Sequence, residues 1–273
     1  MRIAAFVAVL ALGLPAHGLA QAPSSRDDGA RLPDPVPIEE WTTDKVSRIG
    51  LEMYRLDRAA WLATDALRET ITAQELTTVR GWLVEPAGNG HRVRFYREGD
   101  PDPVPGWDIV VTRTAGPVTP TTETRLTPVE LAQTRALTTA RANIGELRCS
   151  ARVNTVIMPD PDTDDWLVWL LVPTPDSGAI PVGGHYRFRI SPDGQSVLRR
   201  DQLSNGCFFA DPAPEGSRDT MLFYTQIVSR GPVETQVFLS IQKQMTLLIV
   251  AGGRYFSVGG ARIADITDMV NQR

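Results

Sequence analysis

The chain is short of histidine and cysteine. Of its 273 residues only three are histidine, His17, His91 and His185, and two are cysteine, Cys149 and Cys207. Three scattered histidines, one of them inside the first twenty residues, argue against a multi-histidine zinc site. The two cysteines lie 58 positions apart and lack the CxxC spacing of a redox motif, so one disulfide is expected. The loop it would close corresponds to roughly 4 kcal/mol in the chain-entropy description. Neither GxSxG nor HExxH occurs, which removes two common hydrolase and metalloprotease signatures. The pairs Gly183-Gly184, Gly252-Gly253 and Gly259-Gly260 form neither GxGxxG nor a Walker loop, and they read as turns and bulges. A positive excess is missing too: 28 Lys and Arg face 32 Asp and Glu, a net charge of −4, where a nucleic-acid binder needs a basic face. No cofactor and no nucleic-acid partner is expected.

Long apolar runs are confined to the start, MRIAAFVAVLALGLPAHGLA. Arg2 supplies a positive end, Ile3 to Leu14 an apolar stretch too short for a bilayer core of about 30 Å, and Gly18 and Ala20 the small residues a signal peptidase accepts. Residues 1–20 therefore read as a signal peptide. No cysteine follows the cut to take a lipid, so the expectation is an exported protein, periplasmic or secreted, with no integral membrane segment after cleavage. Residues 21–37, rich in Pro, Ser and Asp, read as a disordered linker. Residues 38–273 read as a single domain of ordinary globular composition, 42% hydrophobic and 22% charged.

Within that domain, Ile49, Met53, Leu56, Ala60, Ala63, Leu67 and Ile71 recur at helical spacing, predicting a long amphipathic helix from Ile38 to about Ile71. Trp41, Tyr54 and Trp61 widen its apolar side and are read as core. Thr127-Pro128-Val129-Glu130 is a helix start, with a capping box and proline in the first turn, leading an alanine-rich stripe toward Gly145. Most of the rest reads as strand, including Met221 to Ser229, Glu234 to Gln242 and Thr246 to Ala251. Short gaps favour antiparallel pairing, so the fold class expected is α+β, the two helices packed on mostly antiparallel sheet. A faint echo links Arg92-Val93 and Asp100-Pro101-Asp102 to Arg152-Val153 and Asp160-Pro161-Asp162; a duplication would divide the domain into 38–126 and 127–273.

Chemistry concentrates around one hairpin. Ser191-Pro192-Asp193-Gly194-Gln195 suggests a three-residue loop with a bulge, a register that pairs Phe188 with Leu198, Arg187 with Arg199 and His185 with Asp201. Arg187, Arg189 and Arg199, with Arg200 as an addition, would then form a face able to hold a carboxylate or phosphate through forked guanidinium donors. His185 beside Asp201, with Ser204 or Ser191 near, would be the site of a cell-envelope hydrolase. Asp160, Asp162 and Asp164 alternate as calcium ligands do, although the sixth position is Asp165 and the twelfth Leu171, where an EF-hand needs Gly and Glu. The leading expectation is a non-enzymatic cell-envelope protein that binds a partner or small anion through the arginine face. The alternatives are the His185 hydrolase and a calcium-stabilised module.

Overall fold

The structure, a computed structural model, describes residues 36–212 and 220–272; the expected signal peptide and residues 21–35 of the expected linker lie outside them. No helix among the described residues is long and apolar enough to cross a membrane. The fold is α+β. Helix α1 (Thr43–Thr70) and the single turn α2 (Ala73–Leu76) precede a four-stranded antiparallel sheet of β1 (Val79–Ala87), β2 (Gly90–Arg97), β3 (Val104–Val111) and β4 (Thr119–Pro120). Helix α3 (Pro128–Ala142) leads to a second antiparallel sheet, ordered β5 (Asn154–Pro159), β6 (Trp166–Leu171), β8 (Tyr186–Ile190) and β9 (Val197–Gln202). The short β7 (Ile180–Pro181) and β10 (Phe209–Ala210) pair separately. A third four-stranded sheet follows, formed by β11 (Met221–Gln226), β12 (Thr246–Ala251), β13 (Arg254–Gly259) and β14 (Arg262–Asp265). Helix α4 (Glu234–Lys243) connects β11 to β12, and the short α5 (Thr267–Asn271) comes last.

Helix α1 is the spine. Thr42 caps it by accepting from the Lys45 amide, and Asp44 and Arg68 sit at the ends where the helix dipole favours their charges. Its 28 residues extend about 42 Å, enough to meet all three sheets. Val46 joins the core under β12 and β13; Ile49, Met53 and Leu56 pack on Leu167, Trp169 and Leu171; Ala59, Ala63 and Leu67 pack on Val93, Phe95 and Ile109. Gly50 is required where α1 crosses α4, because a Cβ there would come within 2.5 Å of the Val237 Cβ.

Helix α3 begins as its sequence predicts. The Thr127 hydroxyl accepts from the Glu130 amide at 3.2 Å and the Glu130 carboxylate accepts from the Thr127 amide at 2.8 Å. Ala136 and Ala140 are fully buried against Val168, Tyr186 and Phe188, the close approach that small residues allow. Glu130 also reaches Arg94, whose buried guanidinium binds Asp108 at 2.8 and 2.7 Å and Glu130 at 2.9 Å, tying α3 to the first sheet. Strand β6, WLVWLL, is buried at all six positions because α1 covers one face of its sheet and α3 the other.

Three expectations are corrected. Residues Glu234–Lys243 are helix, not strand. Glu234 to Ser240 are all buried, so no polar face marks a 3.6-residue period, and Thr, Val, Phe and Ile imitate a strand. The helix signals present are Pro232 just ahead of it and Gln236, whose side chain accepts from the Val233 amide at 2.8 Å. As a consequence β11 and β12 pair in parallel through a crossover helix, the one parallel pairing among the described strands. The third correction is the hairpin register. The Ser191 amide donates to the Ser196 carbonyl and Gly194 holds φ +78°, so the turn takes four residues rather than three, and a bulge between Arg189 and Ile190 adds a further step. Arg187 therefore faces Asp201, Phe188 faces Arg200 and Arg189 faces Arg199. The echoed segments occupy unlike places, β2 inside its sheet and β5 at an edge.

Candidate functional site

A shift of two residues keeps every side chain on its expected face but exchanges its partner. Arg187 is buried beneath α4 and the start of α1. Its Nε and Nη2 donate to Asp201 at 3.1 and 2.6 Å, its Nη1 to Glu234 at 3.1 Å, and Nη2 also to the Glu39 carbonyl at 2.6 Å. The Trp41 ring covers the guanidinium at 3.8 Å. Glu234 is itself fully buried, and its other oxygen accepts from the Trp169 indole at 2.8 Å. The ions at this centre are thus neutralised and hydrogen-bonded, the condition under which buried charge is tolerated. Arg189 continues the layer, its Nη2 donating to both oxygens of the Glu39 carboxylate at 3.1 Å and its Nη1 to Asp160. Arg187 and Arg189 therefore do not present donors to an external anion, a correction to the expected face: carboxylates distant in sequence already occupy them.

The aspartate loop is closed by the same logic. Asp160 is buried and binds Arg189 and Lys45; Asp162 binds Lys45 at 2.5 Å, which holds its carboxyl below the ordinary carboxylate range. Asp164 points to solvent, outside these pairs. Two protein cations take the charge that a calcium ion would have taken, and no group of three or more metal-ligating side chains is gathered among the described residues.

His185 is buried against the β7 strand and away from Asp201. Its Nδ1 accepts from the Val172 amide at 3.0 Å and its Nε2 lies 3.2 Å from the Pro181 carbonyl, which assigns the proton to Nε2. Burial pushes its pKa down to about 4, so the ring is neutral over the physiological range. Ser204 accepts from the Gly184 amide and donates to the Gly206 carbonyl, while Ser191 donates to Asp193; neither hydroxyl is bonded to the imidazole. Ser240-Ile241-Gln242-Lys243 has the SxxK spacing of penicillin-interacting enzymes. The geometry withholds that chemistry: Ser240 is buried and donates to the Met245 carbonyl at 2.6 Å, whereas the Lys243 ammonium donates to Thr174.

The exposed arginines converge elsewhere. Arg199 and Arg200 lie on β9, the edge strand, and Arg148 stands at the end of the loop that follows α3, held there because its neighbour Cys149 is disulfide-bonded to Cys207. With Tyr186, Gln202 and Glu146 they line an open groove of about 800 Å³. Arg199 donates to Asp201 at 2.8 Å and Arg200 to the Asn143 carbonyl at 3.0 Å. Neither Arg148 nor Arg200 has an ion-pair partner among the described residues. Desolvation raises the pKa of the Tyr186 hydroxyl, and the fields of Arg200 and Arg148 oppose that rise, as expected for two cations beside the phenol. Arg148 was invisible as a site residue from spacing alone; the signal that could have found it is its position next to a bridged cysteine. No protein-family model, no curated protein and no solved structure matches the chain.

Proposed function

We propose that the chain is an exported, non-catalytic binding protein that takes a small anion, a carboxylate- or phosphate-bearing ligand, in the groove of Arg148, Arg199 and Arg200. The observation that carries this reading is the presence of exposed guanidinium groups without carboxylate partners among the described residues at Arg148 and Arg200, beside a third at Arg199. Forked donors on a concave wall are suited to planar, multidentate acceptors. The groove volume falls in the range of small-ligand sites. Export is supported by the character of residues 1–20 and by the Cys149–Cys207 disulfide, a bond that persists in oxidising compartments.

The test is the thermal unfolding midpoint of the oxidised protein against inorganic phosphate, succinate, citrate, calcium and EDTA. A ligand at about a hundred times its Kd adds roughly 2.7 kcal/mol, a rise of roughly 5 °C or more for a domain of this size. A rise with phosphate or a di- or tricarboxylate that vanishes in the Arg148→Ala/Arg200→Ala protein supports the groove. No rise with any of the three anions rejects it. Equal midpoints in calcium and in EDTA count against the calcium-stabilised alternative.

A further inference from the structure

A second groove runs along the outer side of α1 and has the opposite character. Tyr54, Asp57, Trp61, Asp65 and Arg68 recur three or four positions apart and so share one stripe of the helix, beside the stripe that enters the core. The stripe forms one wall of a trough of about 630 Å³, whose other wall carries Trp82, Asn154 and Gln242. Trp61, expected from the sequence to be core, is 60% exposed, the largest side chain that the described surface leaves so open. Trp82 is half-buried and anchored on the Ala59, Ala63 and Leu67 cluster, which fixes it as part of a rigid wall.

The polar groups of the trough have unused capacity. Asp57 is half-buried, yet its one hydrogen bond among the described residues comes from the Gln242 amide at a long 3.5 Å, and burial pushes its carboxyl up to about 6. A buried carboxyl normally collects several donors. The formal charges on the α1 wall balance, Asp57 and Asp65 against Arg58 and Arg68, and Arg58 is turned to the carbonyls of Thr112 and Arg113. The trough therefore lacks the excess of one sign that marks the arginine groove.

We propose that this trough binds a neutral saccharide chain, with Trp61 and Trp82 as stacking surfaces and Asp57, Gln242 and Asn154 as the hydroxyl-binding rim. A pyranose ring presents a face of C–H bonds, which suits an exposed indole, and a rim of hydroxyls that both donate and accept. A carboxyl beside a primary amide offers acceptors and donors together, the combination that adjacent hydroxyls need. A proline-rich peptide, another ligand that aromatic grooves take, has few donors and leaves a half-buried carboxyl unsatisfied, so the observed rim favours the sugar.

The experiment titrates the oxidised protein with cellohexaose, chitohexaose and maltohexaose to about 10 mM, ten times a Kd of about 1 mM, and follows the indole N–H resonances of Trp61 and Trp82. Saturable shifts of both resonances with at least one hexaose are expected. Trp61→Ala, an exposed substitution that leaves the core intact, should weaken that binding at least about tenfold, and Asp57→Asn should weaken it less because the amide keeps an acceptor. The Arg148→Ala/Arg200→Ala protein should bind the hexaose as the parent does, so that this proposal and the anion groove fail separately. Absence of a saturable shift with all three sugars, undiminished binding by Trp61→Ala, or shifts produced by a proline decamer in place of the sugars would overturn the assignment.

Discussion

The second sheet carries arginines on both sides of a single boundary, and their fates are opposite. Arg187 and Arg189 face α1, α4 and Glu39, and their donors end on Asp201, Glu234, Asp160 and Glu39. Arg200 and Arg148, with Arg199 at the margin, face solvent beyond the edge strand and keep donors available. Residue type does not decide which arginine holds the fold and which can hold a ligand. The deciding factor is whether another element brings a carboxylate within reach, and here α4 and the segment before α1 do so on one side only.

The largest way to break this contrast is to remove an inward arginine. Arg187→Ala leaves Glu234 and Asp201 buried beside each other without their cation and should destabilise the protein by about 3–5 kcal/mol, read as a fall in the urea midpoint. An effect below about 1 kcal/mol would mean that the inward layer is solvated and that the two sets of arginines do not differ as described.

The disulfide comes next. Converting Cys149 and Cys207 to alanine opens a 58-residue loop and should cost about 2–4 kcal/mol. It should also weaken anion binding, because Arg148 loses its anchored neighbour. Equal anion affinity with and without the bridge would show that the disulfide does not hold Arg148 in place for the ligand.

A buried group, His185, and a half-buried one, Asp57, titrate in opposite senses and sharpen the distinction between satisfied and unsatisfied polar atoms. The folded-state pKa of His185 is depressed to about 4 from 6.5, so the unfolded chain binds more protons between these values. Its contribution to stability is present above about 6.5 and is lost as pH falls toward 4, amounting to at most about 3 kcal/mol. Asp57 is raised to about 6 from 3.8, so the folded chain binds more protons in that window, and stability from this group falls as pH rises through it. The two slopes oppose each other between about pH 4 and 6 in the parent protein. Asp57→Asn removes one of them: its stability relative to the parent should be near zero at pH 4 and rise to about 1–3 kcal/mol above pH 7. A difference that does not change with pH would place the Asp57 carboxyl in water.

Much of the scaffold was legible in the sequence, because helix starts and amphipathic stripes are local. Thr127 and Glu130 announce α3 within four residues, and the α1 stripe is visible in its own 28. Helix α4 was hidden because burial on every side erases the polar half of the pattern. The site was less legible for a different reason. The hairpin register turned on one extra loop residue and one bulge, and that small shift moved Asp201 from His185 to Arg187. The partners that consume the inward arginines come from 47 and 150 positions away, a distance no spacing rule spans. Trp61 was assigned to the core because helical spacing identifies which residues share a face but not which of two neighbouring faces meets a sheet.

The smallest effect on stability belongs to the outward arginines, and there the account is most exposed. Arg148→Ala/Arg200→Ala should leave the unfolding free energy within about 0.5 kcal/mol of the parent, since neither side chain holds an ion pair among the described residues. The decisive measurement is the Kd of this variant and of its parent, by calorimetric titration, for whichever of phosphate, succinate or citrate raises the parent's midpoint. The account predicts affinity at least about tenfold weaker in the variant, a loss of about 1.4 kcal/mol, with stability unchanged. Equal affinity in the two proteins would contradict it.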